Sequence, residues 1–208
     1  MPQVKLKVCG ITSYEDARMC LEVGAEFLGF NFFPPSPRYI APIKAAEIIQ
    51  KLPREIISVG VFVNLPEPSD VLEILALSRA EIAQLHGDED ESYCRRVGMA
   101  RVIKAVRPGL NFDPDSLIGF PADALLIDTF DKKLFGGTGR LANWDIAAEI
   151  AENANVFLAG GLSPENIAEA IAAVNPFAVD VNSGVESSPG KKDKMMLWQL
   201  YESIHSAR

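Results

Sequence analysis

The sequence predicts a single (β/α)8 barrel over residues 1–208, and three observations carry that prediction. Strand-like apolar runs and helical stretches alternate eight times without a break. The strands are continuous apolar runs, as in a parallel sheet covered on both faces by crossover helices. The repeat averages about 26 residues, near the lower size limit of such a barrel and too regular for an open doubly wound sheet.

The elements follow in order. A strand over Val4–Cys9 and a polar turn lead into a helix from Ser13 to Val23, closed by Gly24. Phe27–Phe32 is followed by a helix around Ile43–Leu52, Ile57–Val63 by Ser69–Leu77, and Ile82–Leu85 by Ser92–Val97. Val102–Val106 precedes a weak helix near Pro114–Ile118, and Ala124–Ile127 a helix from Asn143. Val156–Ala159 precedes a helix from Ser163, where Ser163-Pro164-Glu165 offers an N-cap and a first-turn proline. Ala178–Val181 and a closing helix over Asp193–Ser206 complete the eight units. No linker, low-complexity tract or change of composition divides the chain.

Composition narrows the function classes. With 20 basic and 28 acidic residues the net charge is −8, and no basic block offers a footprint for nucleic acid or anionic lipid. No apolar run approaches the roughly 18 residues of a spanning helix. Cys9, Cys20 and Cys94 are odd in number and lack C-x-x-C spacing, and the first residues lack the apolar core of a signal peptide, so the expected setting is the reducing cytoplasm with free thiols. The two histidines, His86 and His205, cannot supply a convincing metal set. Neither a P-loop nor a dinucleotide-binding glycine pattern is present, so no cofactor and no metal are expected.

In a barrel of this kind chemistry sits in the loops after the strands. Reading only those positions gives Cys9 after the first strand, Arg38 in the Pro34–Arg38 loop, Asn64 after the third, and Gln84 and His86 at the fourth. Lys104 and Arg107 mark the fifth and Asp128 ends the sixth. Glycine turns occur at Gly136–Gly139, Gly160-Gly161 and Ser183-Gly184. The last two follow strands seven and eight, where exposed N–H groups and a short helix start form a recurrent phosphate site. Taken singly, each has an ordinary reading: Cys9 as a small core side chain, Asp128 as a turn residue, His86 as a structural histidine, Arg38 as a surface charge. Their joint placement at one end of one barrel favours a site. One acid, one base and a phosphate cradle describe a sugar-phosphate isomerase better than a redox or phosphoryl-transfer enzyme.

Eight collinear motifs then carry a resemblance. Lys7-Val8-Cys9-Gly10-Ile11-Thr12, Phe32–Arg38, Gly60–Asn64, Gln84-Leu85-His86-Gly87, Leu126–Thr129, Gly136–Gly139, Leu158–Leu162 and Asp180–Glu186 resemble, in order, those of the phosphoribosylanthranilate isomerase family of tryptophan biosynthesis. The resemblance covers nearly the whole chain. It implies a (β/α)8 fold and the Amadori rearrangement of N-(5'-phosphoribosyl)anthranilate. Implied roles are Asp128 as general acid, Cys9 as general base and Arg38 as partner of the anthranilate carboxylate. Gln84 and His86 are implied as substrate-binding, and Gly160, Gly161, Ser183 and Gly184 as the phosphate site. The implied partner is a small sugar phosphate, with a homodimer left open. The chain departs from the family's usual pattern at Ala142-Asn143 before Trp144, at Asn182 in place of Ser, and at the polar Asn31. Two other readings are the histidine-pathway aldose isomerase, which the thiol at Cys9 disfavours, and a catalytically silent phosphate-binding barrel, which has no need of both Cys9 and Asp128.

Overall fold

The computed structural model describes residues 4–98, 101–109, 112–128 and 139–206, with the side chains of all these but 139–143. Eight parallel strands close in sequence order into one barrel: β1 (Lys5–Val8), β2 (Phe27–Asn31), β3 (Ile57–Phe62), β4 (Ile82–Leu85), β5 (Arg101–Val106), β6 (Ala124–Asp128), β7 (Val156–Ala159) and β8 (Ala178–Val181). The crossovers carry α1 (Tyr14–Glu22), α2 (Pro42–Ile49), α3 (Pro68–Ser78), α4 (Glu91–Val97), α5 (Gly139–Ala151) and α6 (Ile167–Val174), and α7 (Lys194–Ser206) follows β8.

Strand side chains alternate between two cores. One face of each strand packs outward against the helices, with Val8, Leu28, Phe30, Leu85, Leu125, Ile127, Leu158 and Val179 fully or nearly buried there. The other face fills the barrel: Phe27, Val59, Ile82, Ile103, Ala124, Leu126, Phe157 and Ala178 form a separate apolar cluster. Phe27 and Phe157 meet edge to face at 5.2 Å, and Lys5 lies 5.1 Å over Phe177, closing the N-terminal end. The interior is therefore a plugged core below and free to carry polar side chains above.

The local chemistry explains most boundaries. Ser13 caps α1 by accepting from Asp16 N, and Asp90 caps α4 by accepting from Tyr93 N. Pro42 and Pro68 open α2 and α3, where their missing N–H groups cost nothing. Two expected short helices are 3₁₀ turns, and one expectation needs correction. Among the described residues between β5 and β6 the weak helix is a 3₁₀ turn, Pro114–Leu117. Ser163 does not cap α6: Pro164–Asn166 form a turn in which Ser163 O accepts from the N–H groups of Asn166 and Ile167, and the helix starts at Ile167. After β8, where a short helix start is expected, a three-residue 3₁₀ turn (Ser183–Val185) leads into an antiparallel hairpin, β9 (Glu186–Ser188) with β10 (Lys191–Lys192). That hairpin has no apolar alternation to announce it.

Candidate active site

Two clefts stand out. The larger, about 760 Å³, lies between the 3₁₀ turn at Pro114–Leu117 and the end of α5 and is lined by neither a thiol nor a histidine. The smaller, about 310 Å³, opens above the barrel core and is lined by Cys9, Asn31, Gln84, His86, Asp128, Gly160, Gly161, Asp180, Asn182 and Ser183, among others. Size favours the first cleft; chemistry favours the second, because its walls are the inward positions at the C-terminal ends of the strands.

Period two explains this convergence. Lys7 and Cys9 share one face of β1 and its extension, as do Leu126 and Asp128 on β6, and Ala178, Asp180 and Asn182 along β8. Cys9 N donates to Val181 O at 2.9 Å, prolonging the β1–β8 ladder by one residue and setting the thiol at the cavity floor. Gly29 on β2 makes room for it: a Cβ there would stand 2.7 Å from Cys9 Sγ. Burial pushes the Cys9 thiol above its ordinary value, outweighing the opposing pull of Lys7.

Opposite the thiol, Asp128 Oδ2 lies 3.8 Å from His86 Nε2 and 3.6 Å from Arg107 Nε. His86 is set by its own backbone, whose N–H donates to Phe62 O at 2.8 Å, and by Gln84, whose Nε2 lies 2.8 Å from His86 Nδ1. This contact holds the ring through Nδ1 and leaves Nε2 facing Asp128. Gln84 Oε1 and Asp180 Oδ1 are buried acceptors with no hydrogen-bond donor among the described residues. Both residues line the cavity, so both oxygens are available to a ligand's donors.

The glycine turns after β7 and β8 form the rim between Asp128 and Cys9. Gly160 and Gly161 have φ of 99° and 67°, in the left-handed region. Gly184 packs so closely on Leu162 O that no Cβ fits. This brings the Ser183–Val185 turn against the β7 loop. Gly136–Thr138 lie outside the described residues, as does the side chain of Asn143.

Arg38 is half-buried beside this cavity and does not line it. Its Nε and Nη2 donate to Glu186, with Nη2–Oε2 at 2.6 Å, and Lys192 Nζ reaches Glu186 Oε1 at 2.8 Å. Burial raises the Glu186 pKa, yet Arg38 and Lys192 more than offset it and hold the carboxyl below its ordinary value. Lys192 also bonds Asn182 Oδ1 at 3.2 Å, which gives Asn182 a partner in this network. Asn31 accepts from Phe33 N and donates to Ser36 Oγ, so the polar residue at the end of β2 shapes the loop that carries Arg38. Lys104, expected near the mouth, points out of the barrel to Glu89.

Sequence reasoning passed over Lys7, Asp180, Glu186 and Lys192. Lys7 Nζ is wholly buried and donates to Asp180 Oδ2 at 2.9 Å, directly across the β1–β8 register. A signal existed for Lys7, since it precedes Cys9 by two residues and must share its face. Among the described residues no group of three His, Cys, Asp or Glu side chains is placed to hold a metal ion.

A polar cavity at the C-terminal mouth of a closed parallel barrel, above a filled interior, is the arrangement of a (β/α)8 enzyme, and that is the class the fold and site define. The family model for N-(5'-phosphoribosyl)anthranilate (PRA) isomerase matches residues 6–203. The chain belongs to that family, the isomerases of tryptophan biosynthesis. It is 50% identical over 190 residues to the N-(5'-phosphoribosyl)anthranilate isomerase of Geobacter metallireducens, covering 91% of this chain and 93% of the relative. A crystal structure of a phosphoribosyl anthranilate isomerase in complex with reduced 1-(o-carboxyphenylamino)-1-deoxyribulose 5-phosphate superposes with a TM-score of 0.86, at 38% identity over 98% of this chain and 100% of that one. Monomers generated from the dimeric enzyme of Thermotoga maritima give 0.85, at 36% identity and the same coverage.

Proposed function

We propose that Cys9 and Asp128 are the base and acid of the Amadori rearrangement of N-(5'-phosphoribosyl)anthranilate to 1-(2-carboxyphenylamino)-1-deoxyribulose 5-phosphate, in one catalytic domain spanning the chain. Asp128 delivers a proton to the furanose ring oxygen, and the ring opens to an iminium. The positive nitrogen acidifies C2', and Cys9 as thiolate removes its proton, giving an enolamine that collapses to the ketone. The observation that carries this reading is that Cys9, Asp128, Gly160, Gly161 and Ser183 line one cavity of about 310 Å³.

The remaining roles follow from the same placement. Gly160, Gly161, Ser183 and Gly184 hold the phosphate through backbone N–H groups. Arg38, presented by Glu186, pairs with the anthranilate carboxylate. Gln84 Oε1 and Asp180 Oδ1 accept from the sugar hydroxyls, and His86 orients Asp128 as well as the substrate. By analogy with the Thermotoga maritima enzyme the chain pairs with a second copy, and it works in the cytoplasm. Sedimentation velocity decides the first; a sedimentation coefficient of a single 22.6 kDa chain would refute it.

The deciding experiment is turnover of N-(5'-phosphoribosyl)anthranilate by the purified protein, together with rescue of a tryptophan-requiring host. Cys9→Ala and Asp128→Asn are each expected to lose at least about 100-fold in turnover while remaining folded. Either variant keeping more than about a tenth of wild-type turnover, a deficit of at most about 1.4 kcal/mol, removes that residue from its role.

A further inference from the structure

Burial alone would leave Cys9 a poor base. Its thiol sits at the cavity floor, 7% exposed, with the apolar barrel interior beneath it. A thiolate in that position requires a nearby positive charge.

The structure supplies one that no role yet accounts for. Lys7 stands two residues before Cys9 on the same face of β1 and is 0% exposed. Its ammonium is held at 2.9 Å by Asp180 Oδ2, across the β1–β8 register, and shares the inward face of β1 with Cys9. Among the described residues Asp180 in turn is anchored on one oxygen, with Oδ1 left unpartnered beside the cavity. A lysine buried for stability alone would have its partner carboxylate fully satisfied, as an unmade hydrogen bond on a buried charge is costly. We propose that Lys7 is the positioning residue of the thiol: clamped on Asp180, its ammonium is the counter-ion on which the Cys9 thiolate rests until it takes the C2' proton.

The step balances. The C2'–H bond breaks and the S–H bond forms, while the electron pair left on C2' moves toward the iminium nitrogen and neutralises it. Lys7 keeps its protons throughout. Burial works to lower the Lys7 pKa, but Asp180 and Cys9 together raise it above its ordinary value, so the ammonium is charged at neutral pH. The charged and titratable groups around Cys9 are Lys7 on its own strand, Asp180 on β8 and Lys192 on β10, with His86 and Asp128 across the cavity. From β2 only Gly29 and Asn31 approach.

This inference rests on Cys9 as base and deepens it, and its test needs no turnover. The pH dependence of Cys9 alkylation by iodoacetamide, resolved by peptide mass from Cys20 and Cys94, reports the thiolate directly. In Lys7→Met the midpoint is expected to rise by about one pH unit or more, a tenfold loss of thiolate at any pH below it. In Asp180→Asn, which keeps the lysine and removes the negative charge, the midpoint is expected to fall. Lys7→Arg, which keeps the charge, returns it toward wild type. A merely structural pair would move both variants in the same direction, or neither. An unmoved midpoint in Lys7→Met, or a rise in Asp180→Asn, overturns the proposal; if Lys7→Met does not fold, Lys7→Gln carries the same test. A Cys9→Ala variant that still turns over would remove the base while leaving these shifts intact, so the two failures are distinguishable.

Discussion

Two lysines, each in a strand and each paired with a buried carboxylate, end up in opposite settings. Lys104 on β5 points out of the barrel and bonds Glu89 Oε2 at 3.0 Å, Gly87 O at 2.7 Å and Leu85 O at 3.3 Å. Glu89 is satisfied on both oxygens, accepting also from Asn64 N and Gly87 N. Lys7 on β1 points inward, and its carboxylate keeps one oxygen unused next to the cavity. A closed network fixes a loop, here the one that follows β4 and carries His86. An open one leaves a charged group available to chemistry. The residue types are the same; strand face and the count of satisfied atoms separate the two roles.

The largest effect sharpens this contrast from the outer side. Lys104→Met leaves Glu89 buried without its cation and is expected to cost about 3–5 kcal/mol in denaturant unfolding. It should leave the Cys9 alkylation midpoint in place, since Lys104 is not among the charges that act on the thiol. A shift of that midpoint equal to the one in Lys7→Met would erase the distinction between the pairs.

Next in size is a steric probe of the inner side. Gly29→Ala sets a Cβ 2.7 Å from Cys9 Sγ and 3.0 Å from its Cα, so the thiol must shift from its place. Turnover is expected to fall about 10- to 100-fold with little change in KM. A raised KM at constant turnover would place the thiol in binding instead of proton transfer.

A third pair, Arg38 with Glu186, lies between the two extremes and answers to pH. The Glu186 carboxyl is held below its ordinary value of 4.5 in the fold, so its contribution to stability is complete above pH 4.5 and is lost as pH falls through the lower folded value. Glu186→Gln should remove that acid-side dependence from the unfolding free energy and raise KM by loosening Arg38. An unchanged acid limb would mean the pair contributes nothing to stability.

The smallest effect is expected at the other thiols. Burial raises Cys20 to about 12 and Cys94 to about 11, and both are buried within helices. Their alanine variants should cost about 1 kcal/mol and keep wild-type turnover, because neither sulfur reaches the cavity. A loss of turnover at either would show that the inner network extends through the sheet.

The sequence by itself determined the eight strands, because continuous apolar runs between helix signals leave few alternatives, and it determined which residues stand at the strand ends. Cys9, Asp128, Gln84, His86 and the glycine turns were legible for that reason: period two and the position after a strand are local properties. It also determined the family, through eight motifs in order. Only the tertiary structure decided the charge network. Lys7 and Asp180 are 173 positions apart and become neighbours when β8 closes on β1. Glu186 and Lys192 reach Arg38 through a hairpin too short and too polar to carry a pattern. Lys104 and Lys7 are both lysines in apolar strands, and which one enters the barrel depends on the register of the closed sheet. Pairing of distant charges is set by barrel closure, which no local run of residues encodes.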